Sequence, residues 1–381
     1  MDDKEQWLHK KLGDSRVSTI IMGQSPSSSA YNEEGVGIPF LQGCAEFGEV
    51  FPNTTVFSAD LLKIAPENSI LMSVRAPVGT INKADQKYVI GRGLCSIVPV
   101  IDGDFLYYYL LQNTHELELK AQGSTFLAIN SSELNEMPIS YPASLPAQRR
   151  IAAILSSADK VIASTQKVIA KYKQMKQGMM EDLLKPKEGW KMVRLGEVGK
   201  ISMCKRVFSF ETSTEGEIPF YKIGTFGKTA DAFISRQLFE EYKSKFSYPK
   251  VGDILISASG TIGRTVIFDG EPAYFQDSNI IWIDNDEQIV LNQFLYYLYQ
   301  TITWNLEGST IARLYNDNFN KIEISVPYKN DKPDLTKQRR IAVILSGIDA
   351  KIAAEEKVLE KYEKVKKGMM ERMLEGENNL N

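Results

Sequence analysis

The 381-residue sequence has little of the chemistry on which secreted domains and most enzymes depend. Its three cysteines, Cys44, Cys95 and Cys204, have no C-x-x-C spacing. That excludes a disulfide scaffold and a cysteine-rich zinc site, and it fits a reducing, cytoplasmic environment. His9 and His115 are the only histidines, so little is left for histidine-based acid–base or metal chemistry.

Apolar runs and catalytic motifs are also missing. The longest aromatic–aliphatic run, Phe105–Leu111, is far shorter than the roughly 18 residues of a membrane span, so no membrane association is expected. We find no G-x-x-x-x-G-K-[ST], G-x-G-x-x-G, H-E-x-x-H or G-x-S-x-G motif. The Asn/Asp-Pro-Pro-aromatic tetrapeptide of amino-methyltransferases is absent as well. We therefore expect a binding protein that has no catalytic or metal residue of its own.

An internal repeat is the strongest feature that is present. Leu145–Leu184 recurs as Leu335–Leu374 at a constant offset of 190, with 22 of 40 positions identical. Fainter matches lie upstream, such as Gly37-Ile-Pro-Phe40 with Glu217-Ile-Pro-Phe220, at offsets that drift. Because only loops change the offset, each half is predicted to be a variable globular part followed by a nearly constant segment.

Both constant segments read as long helices. Apolar residues recur in steps of three and four, which is the seam of a coiled coil. The seam residues are Ile151, Leu155, Ile162, Ile169 and Tyr172 in the first copy, and Leu345, Ile348, Ile352, Leu359 and Tyr362 in the second. Ile154, Val161, Val168 and Met175 flank the first seam and are expected to widen its buried stripe. Either the two helices pack against each other, or each packs on its own globular part.

The globular parts mix short strands with turns and lack regular βαβ alternation, which favours an α+β fold. We divide the chain into domain 1–144, helix 145–185, domain 186–334 and helix 335–381. These segments carry net charges of −7, +5, −3 and +2. Acidic domains on basic helices predict a weak unaided nucleic-acid binder, because phosphate contacts need basic groups.

Loops of small polar residues are the candidate binding elements. Their flexible backbone permits close approach, and arginine can contact phosphate or guanine. The candidates in the first half are Ser73, Arg75, Thr80, Arg92, Ser124 and Thr125. Those in the second half are Ser257, Ser259, Thr261, Arg264, Ser309, Thr310 and Arg313.

The ordered double occurrence of these motifs resembles the specificity subunit of type I restriction–modification enzymes. It comprises Trp-x4-Leu-Gly-Asp/Glu, Ile-Pro-Phe, Gly-Ser-Thr and the helix Gln-Arg-Arg-Ile…Leu-Ser…Asp at 148–159 and 338–349. The resemblance implies two tandem α+β target recognition domains, each followed by a long helix, with the helices pairing as an antiparallel coiled coil. Each domain would read half of a split, asymmetric sequence in double-stranded DNA.

The resemblance also implies the partners. The helices would set the half-site spacing and dock two methyltransferase subunits, alongside restriction subunits. No cofactor would bind this chain, since S-adenosylmethionine, ATP and Mg would belong to those partner subunits. Three alternatives stay open: a coiled-coil adaptor with two ligand- or protein-binding domains, a self-contained methyltransferase, and a specificity subunit of a methylation system without an active nuclease.

Overall fold

The computed structural model describes residues 6–122, 128–304 and 316–374. The chain forms two compact units: unit 1 combines Met1–Lys167 with Glu356–Asn381, and unit 2 is Val168–Glu355. Both long helices therefore contribute one part to each unit. The division into four consecutive segments stays a prediction.

Unit 1 is mostly built from short strands. In chain order the strands are β1 (Trp7–Lys11), β2 (Ser18–Met22), β3 (Tyr31–Asn32), β4 (Ile38–Leu41), β5 (Phe57–Ser58), β6 (Ile64–Ala65), β7 (Ile70–Ser73), β8 (Ile81–Lys83), β9 (Tyr88–Ile90), β10 (Leu94–Pro99) and β11 (Pro138–Pro142). The helices are α1 (Gly103–Gln122), α2 (Ser131–Asn135), the first part of α3 (Leu145–Leu184) and the last part, 356–374, of the second long helix. The strands form sheets of order β1-β11, β2-β10-β7-β8 and β3-β5-β4-β9-β6.

Unit 2 repeats this arrangement with the second part of α3. Its strands are β12 (Trp190–Arg194), β13 (Gly199–Ser202), β14 (Ile218–Tyr221), β15 (Phe233–Ile234), β16 (Ile254–Ser257), β17 (Thr265–Ile267), β18 (Tyr274–Phe275), β19 (Ile280–Asn285), β20 (Glu323–Lys329) and β21 (Lys332–Pro333). Its helices are α4 (Leu195–Val198), α5 (Arg236–Lys245), α6 (Asn292–Thr301), α7 (Asn316–Lys321) and the first part of α8 (Leu335–Leu374). The sheets have the order β12-β20-β21, β13-β19-β16-β17 and β15-β14-β18.

The four-stranded sheet of each unit is buried on both faces. In β7, Ile70 and Met72 belong to one core cluster and Leu71 to another. In β16, Leu255 likewise faces away from its two neighbours. Strand side chains alternate between the faces of a sheet, so a continuous apolar run indicates a strand covered on both sides. The structure confirms the α+β class.

The two long helices run antiparallel within each unit. In unit 1, Met370 and Leu374 of α8 share a core cluster with Leu155 of α3. In unit 2, Met180 and Leu184 of α3 cluster with Leu345 of α8. The start of each helix therefore packs with the end of the other, so the predicted pairing of the helices is confirmed. Each helix also packs on the globular part of its unit, so the two arrangements considered for the sequence occur together.

Candidate nucleic-acid interface

In unit 1, three loops meet at one edge of the β2-β10-β7-β8 sheet. Strands β2 and β7 both run antiparallel to β10, so the ends of β2 and β7 lie beside the start of β10. We call the segment after β2 loop A (23–30), the segment after β7 bend B (74–80) and the segment before β10 turn C (91–93). One sheet edge thus gathers residues that are far apart in the sequence.

Backbone and hydroxyl groups hold the three loops of unit 1 together. The Arg92 N–H in turn C donates to Ser25 Oγ in loop A at 3.1 Å. The Val74 N–H in bend B donates to the Gly93 carbonyl oxygen at 2.9 Å. Turn C is therefore the centre of this edge, with loop A on one side and bend B on the other.

Unit 2 has the same arrangement with different side chains. Its loop A is 203–211, its bend B is 258–264 and its turn C is 276–279. Arg206 Nε in loop A donates to Asp277 Oδ2 at 3.0 Å. In bend B, the Ala258 N–H donates to the Asn279 carbonyl oxygen at 2.8 Å, and Ser259 Oγ donates to Asn279 Oδ1 at 2.8 Å. The two units therefore share one framework of loops.

Ser73 and Ser257 shape bend B. Each is only 1% exposed, and its hydroxyl donates to the carbonyl oxygen four residues further on, at 2.6 Å in both units. Each hydroxyl also accepts the N–H seven residues further on, at 2.9 Å. Gly79 and Gly263 complete the bends at φ of 86° and 84°, a region that favours glycine. In this conformation the two serines position the bend, and the prediction that they contact DNA stays a prediction.

The exposed candidates lie around that edge. Arg75, Thr80 and Arg92 of unit 1 and Thr261 of unit 2 are exposed, whereas Ser259 and Arg264 are half-buried. Arg264 Nη1 donates to the Phe226 carbonyl oxygen at 2.9 Å, which holds the guanidinium against the segment after β14. The structure thus brings together Arg75, Thr80 and Arg92 in one unit, and Ser259, Thr261 and Arg264 in the other. Their contact with DNA stays a prediction.

Five candidates lie outside the described residues: Ser124, Thr125, Ser309, Thr310 and Arg313.

Sequence reasoning missed the most exposed aromatic residues at this edge. Phe208 and Phe210 in loop A of unit 2 are 49% and 83% exposed, and they follow the exposed cations Lys205 and Arg206. The segment is irregular, so no periodicity points to it. Extending the repeat into the residues after β2 and β13 would have found it.

A buried glutamine near the start of each long helix anchors the helix to its unit. Gln148 Oε1 accepts the Asp102 N–H at 2.9 Å, and Gln338 Oε1 accepts the Leu291 N–H at 2.9 Å. Their side-chain amides donate to the carbonyl oxygens of Pro142 and Ile289 at 2.8 and 3.0 Å. The repeated Gln-Arg-Arg motif therefore has a structural role in both units.

Three turns further along, a tyrosine, an aspartate and a lysine join each globular part to both helices. Tyr108 Oη donates to Asp159 Oδ2 at 2.6 Å, and Lys366 Nζ lies 2.5 Å from Asp159 Oδ1. Burial, with the hydrogen bond to Asp159, raises the pKa of the Tyr108 hydroxyl, which therefore stays a donor.

Unit 2 repeats this network. Tyr297 Oη donates to Asp349 Oδ2 at 2.8 Å, and Lys176 Nζ lies 2.7 Å from Asp349 Oδ1. Burial and the hydrogen bond to Asp349 raise the pKa of the Tyr297 hydroxyl as well. Both globular parts are therefore fixed to the paired helices by the same chemistry.

Most seam residues are buried or half-buried. Leu155, Ile169, Leu345, Ile348 and Ile352 are buried, and Ile151, Ile162, Tyr172 and Leu359 are half-buried. The expectation was wrong for Tyr362, which is 38% exposed. It was also wrong for the flanking residues Val161, Val168 and Met175, which are exposed. Two helices bury only a narrow stripe between them, so these side chains lie beside it.

The exposed apolar residues line equivalent grooves in the two units. In unit 1 the groove is lined by Ile154, Val365 and Met369 among others. In unit 2 a groove is lined by Ile344, Met175 and Met179 among others. The offset of 190 relates these two sets residue by residue. Each unit therefore presents an apolar surface made by both long helices.

Within residues 6–122, 128–304 and 316–374, no cluster of three or more histidine, cysteine, aspartate or glutamate side chains could hold a metal ion. Over the same ranges, no helix combines the length and the apolar character that a membrane span requires.

A family model described as "Type I restriction modification DNA specificity domain" matches residues 4–174 and 187–364. The chain belongs to this family. The first matched range starts just before β1 and the second just before β12, and each runs into a long helix. One type I specificity domain is therefore one copy of the internal repeat, and the chain contains two of them.

Similar proteins are named as specificity subunits of type I restriction enzymes. A putative type I restriction enzyme specificity subunit of Haemophilus influenzae is 48% identical over 262 residues, which is 65% of this chain and 65% of that protein. A putative MjaX specificity subunit of Methanocaldococcus jannaschii is 40% identical over 183 residues, 47% of this chain and 43% of that protein. The chain thus matches less than two thirds of the length of either relative.

Solved structures show the same fold. The type I restriction–modification S subunit of M. genitalium has a TM-score of 0.65 at 18% identity, covering 98% of this chain and 97% of that one. A chain from work on complex assembly and conformational transition of the type I restriction–modification system has a TM-score of 0.60 at 16% identity, covering 98% and 99%. The type I specificity fold therefore extends over nearly the whole chain.

Proposed function

We propose that the chain is the DNA-recognition subunit of a type I restriction–modification complex and has no catalytic role of its own. The observation that carries this proposal is the pair of equivalent sheet edges. Loop A, bend B and turn C form the same framework in both units, but their exposed side chains differ. One framework with two side-chain sets suits a protein that reads two different half-sites of an asymmetric sequence.

The paired helices would set the distance between the half-sites. Each helix has 40 residues and a length of roughly 60 Å, which exceeds the roughly 34 Å of one turn of DNA. The glutamine anchors and the Tyr–Asp–Lys networks attach each globular part firmly to the helices. A fixed separation between the recognition domains would then become a fixed number of unread base pairs.

The apolar grooves on the helices would dock two methyltransferase subunits, one groove for each subunit. Exposed apolar surface at repeated positions is typical of a protein interface. Restriction subunits would join the same complex in the cytoplasm. S-adenosylmethionine, ATP and Mg²⁺ would bind those partners and not this chain.

The charge distribution agrees with dependence on partners. The segments 1–144 and 186–334 carry net charges of −7 and −3, whereas non-specific affinity for DNA comes from basic groups that neutralise phosphates. The partner subunits would supply much of the contact with the DNA backbone. The recognition edges of this chain would supply the sequence preference.

Co-expression with a cognate methyltransferase subunit tests the proposal. Sequencing that detects modified bases should find one two-part motif with a spacer of fixed length. Replacing residues 186–334 by those of a homologue should then change one half of the motif only. Methylation without a two-part motif, or a change in both halves, would contradict the proposal.

A further inference from the structure

The same short element ends loop A in both units. It is a 3-10 turn, Ser28–Ala30 in unit 1 and Ser209–Glu211 in unit 2. The residue before each turn, Ser27 or Phe208, has an extended backbone. Phe208 and Phe210 therefore occupy the places that Ser27 and Ser29 occupy in the first unit.

The chemistry at these two places is opposite. In unit 1 the Oγ atoms of Ser27 and Ser29 lie 2.9 Å apart, and both side chains are exposed. In unit 2 the rings of Phe208 and Phe210 stack with centroids 5.6 Å apart and planes 6° from parallel. One framework thus presents a pair of hydroxyls in one half and a flat apolar pair in the other.

The phenylalanine pair is held in a defined position. Glu211 Oε2 accepts the Phe208 N–H at 2.8 Å, and Tyr242 Oη donates to Glu211 Oε1 at 3.0 Å. The pair therefore projects from a turn that is tied to the core of the unit. Two rings that are exposed on a fixed turn do not gain the free energy of removing apolar surface from water. Their exposure therefore indicates that a binding partner covers them.

The surroundings favour DNA as that occupant. Lys205 and Arg206 are exposed on the same loop. Arg206 donates a hydrogen bond to Asp277 of turn C. Because turn C is hydrogen-bonded to bend B, loop A lies near bend B. Cations can contact the phosphates of DNA, and aromatic rings beside them can stack on its bases. Proteins that bend duplex DNA insert phenylalanine between base steps in this way.

We propose that loop A is a specificity-determining element, and that Phe208 and Phe210 form an apolar wedge that enters duplex DNA and stacks on one base step of the second half-site. Ser27 and Ser29 read the first half-site through hydrogen bonds at the equivalent position. The inference rests on the proposed function and assigns residues that the resemblance to the family did not provide. The affinity for the second half-site then depends on how easily that base step unstacks.

The test uses the complex of the full chain with its methyltransferase subunit. First, the wild-type motif is mapped by sequencing of modified bases. Phe208→Ser/Phe210→Ser then gives these two positions of unit 2 the serine side chains that unit 1 has there. We expect one half of the motif to become degenerate or be lost while the other half is kept, and affinity for the mapped duplex to fall about 5- to 150-fold.

A second readout reports the wedge directly. With 2-aminopurine placed in the affected half-site, wild-type complex should raise its fluorescence because the base step opens, and the double variant should not. Phe210→Trp should keep both the motif and the fluorescence change. Val251→Ser, at another exposed apolar residue of unit 2 (73% exposed), is the matched control and should behave as wild type.

The outcomes separate the two proposals. If the wild-type complex shows no two-part motif, the proposed function is wrong. If the double variant keeps motif, affinity and fluorescence change, the wedge is wrong and the proposed function stands. If the double variant loses subunit assembly but its chain still binds the duplex, the pair belongs to a protein contact and the wedge is again wrong. If the double variant fails to fold, Phe210→Ser alone is judged by the same readouts.

Discussion

The ion pair between Lys176 and Asp349 in unit 2 allows a test of how much the contact between α3 and α8 stabilises the chain. Their charged atoms lie 2.7 Å apart, and the side chains are 19% and 34% exposed. The same carboxylate accepts the hydroxyl of Tyr297, a residue that is 3% exposed. Asp349→Ala therefore removes the common partner of a buried hydroxyl and a shielded ammonium group.

The expected cost follows from burial. A buried hydroxyl left without an acceptor costs about 1–3 kcal/mol. The ammonium of Lys176 loses an attraction of about 1 kcal/mol, because water screens the pair only in part. We expect the free energy of unfolding of unit 2 to fall by about 2–4 kcal/mol, and its melting temperature by about 4–16 °C for a unit of this size.

Urea unfolding and calorimetry of the full chain measure the effect. The control is Glu360→Ala, which removes the pair with Lys364 at 2.6 Å, where the side chains are 74% and 63% exposed. Solvent screens that pair, so no measurable change is expected from its loss. Equal unfolding midpoints for the two variants would refute the argument that burial, and not distance, decides the strength of these pairs.

Three further predictions address spacing, docking and thiol chemistry. Deleting one heptad from each long helix, 163–169 and 356–362, should shorten the pair by about 10 Å and the motif spacer by about three base pairs; modified-base sequencing gives the spacer. Val365→Asp places a charge in the groove of unit 1, and co-purification should show methyltransferase binding at least about tenfold weaker. Burial raises the pKa of the Cys95 thiol to about 12, so at pH 8 iodoacetamide should modify Cys44 and leave Cys95 unmodified, as peptide mass spectrometry can measure.

Each of these predictions has a result that contradicts it. An unchanged spacer after the double deletion would show that the length of the helices does not set the distance between the half-sites. Val251→Asp is the control for docking, and an equal loss of methyltransferase binding with it would show that any added charge is sufficient. Because a raised pKa leaves less thiolate at a given pH, modification of native Cys95 at the rate seen in urea would mean that it is not buried.

The regular parts of the fold could be predicted because their physics is local. The heptad pattern of Leu145–Leu184 and its copy predicted both helices with the bounds that the structure has. The short apolar runs around Ile70 and Ile254 form the strands β7 and β16. In each case the side-chain period itself carries the information about the backbone.

The binding edge could be predicted only in part. Bend B was found through its small polar residues, but the burial of Ser73 and Ser257 depends on tertiary hydrogen bonds that spacing does not reveal. Phe208 and Phe210 were missed because loop A has no period. Tyr362 was assigned to the seam because sequence spacing does not show how wide a stripe two helices can bury.

Along the sequence, unit 2 lies between the two segments that form unit 1. This has a consequence for the order in which the chain folds during synthesis. Residues 168–355 can complete their own core as soon as they have left the ribosome. Met370 and Leu374 belong to the core of unit 1, so that core can be complete only after the whole of unit 2 has been made. Domains generally fold as units from the N-terminus during synthesis, whereas here we expect unit 2 to complete its core before unit 1 does. A frameshift within the codons for 356–374 would therefore remove part of the core of unit 1, which is translated first, and would leave the residues of unit 2 unchanged.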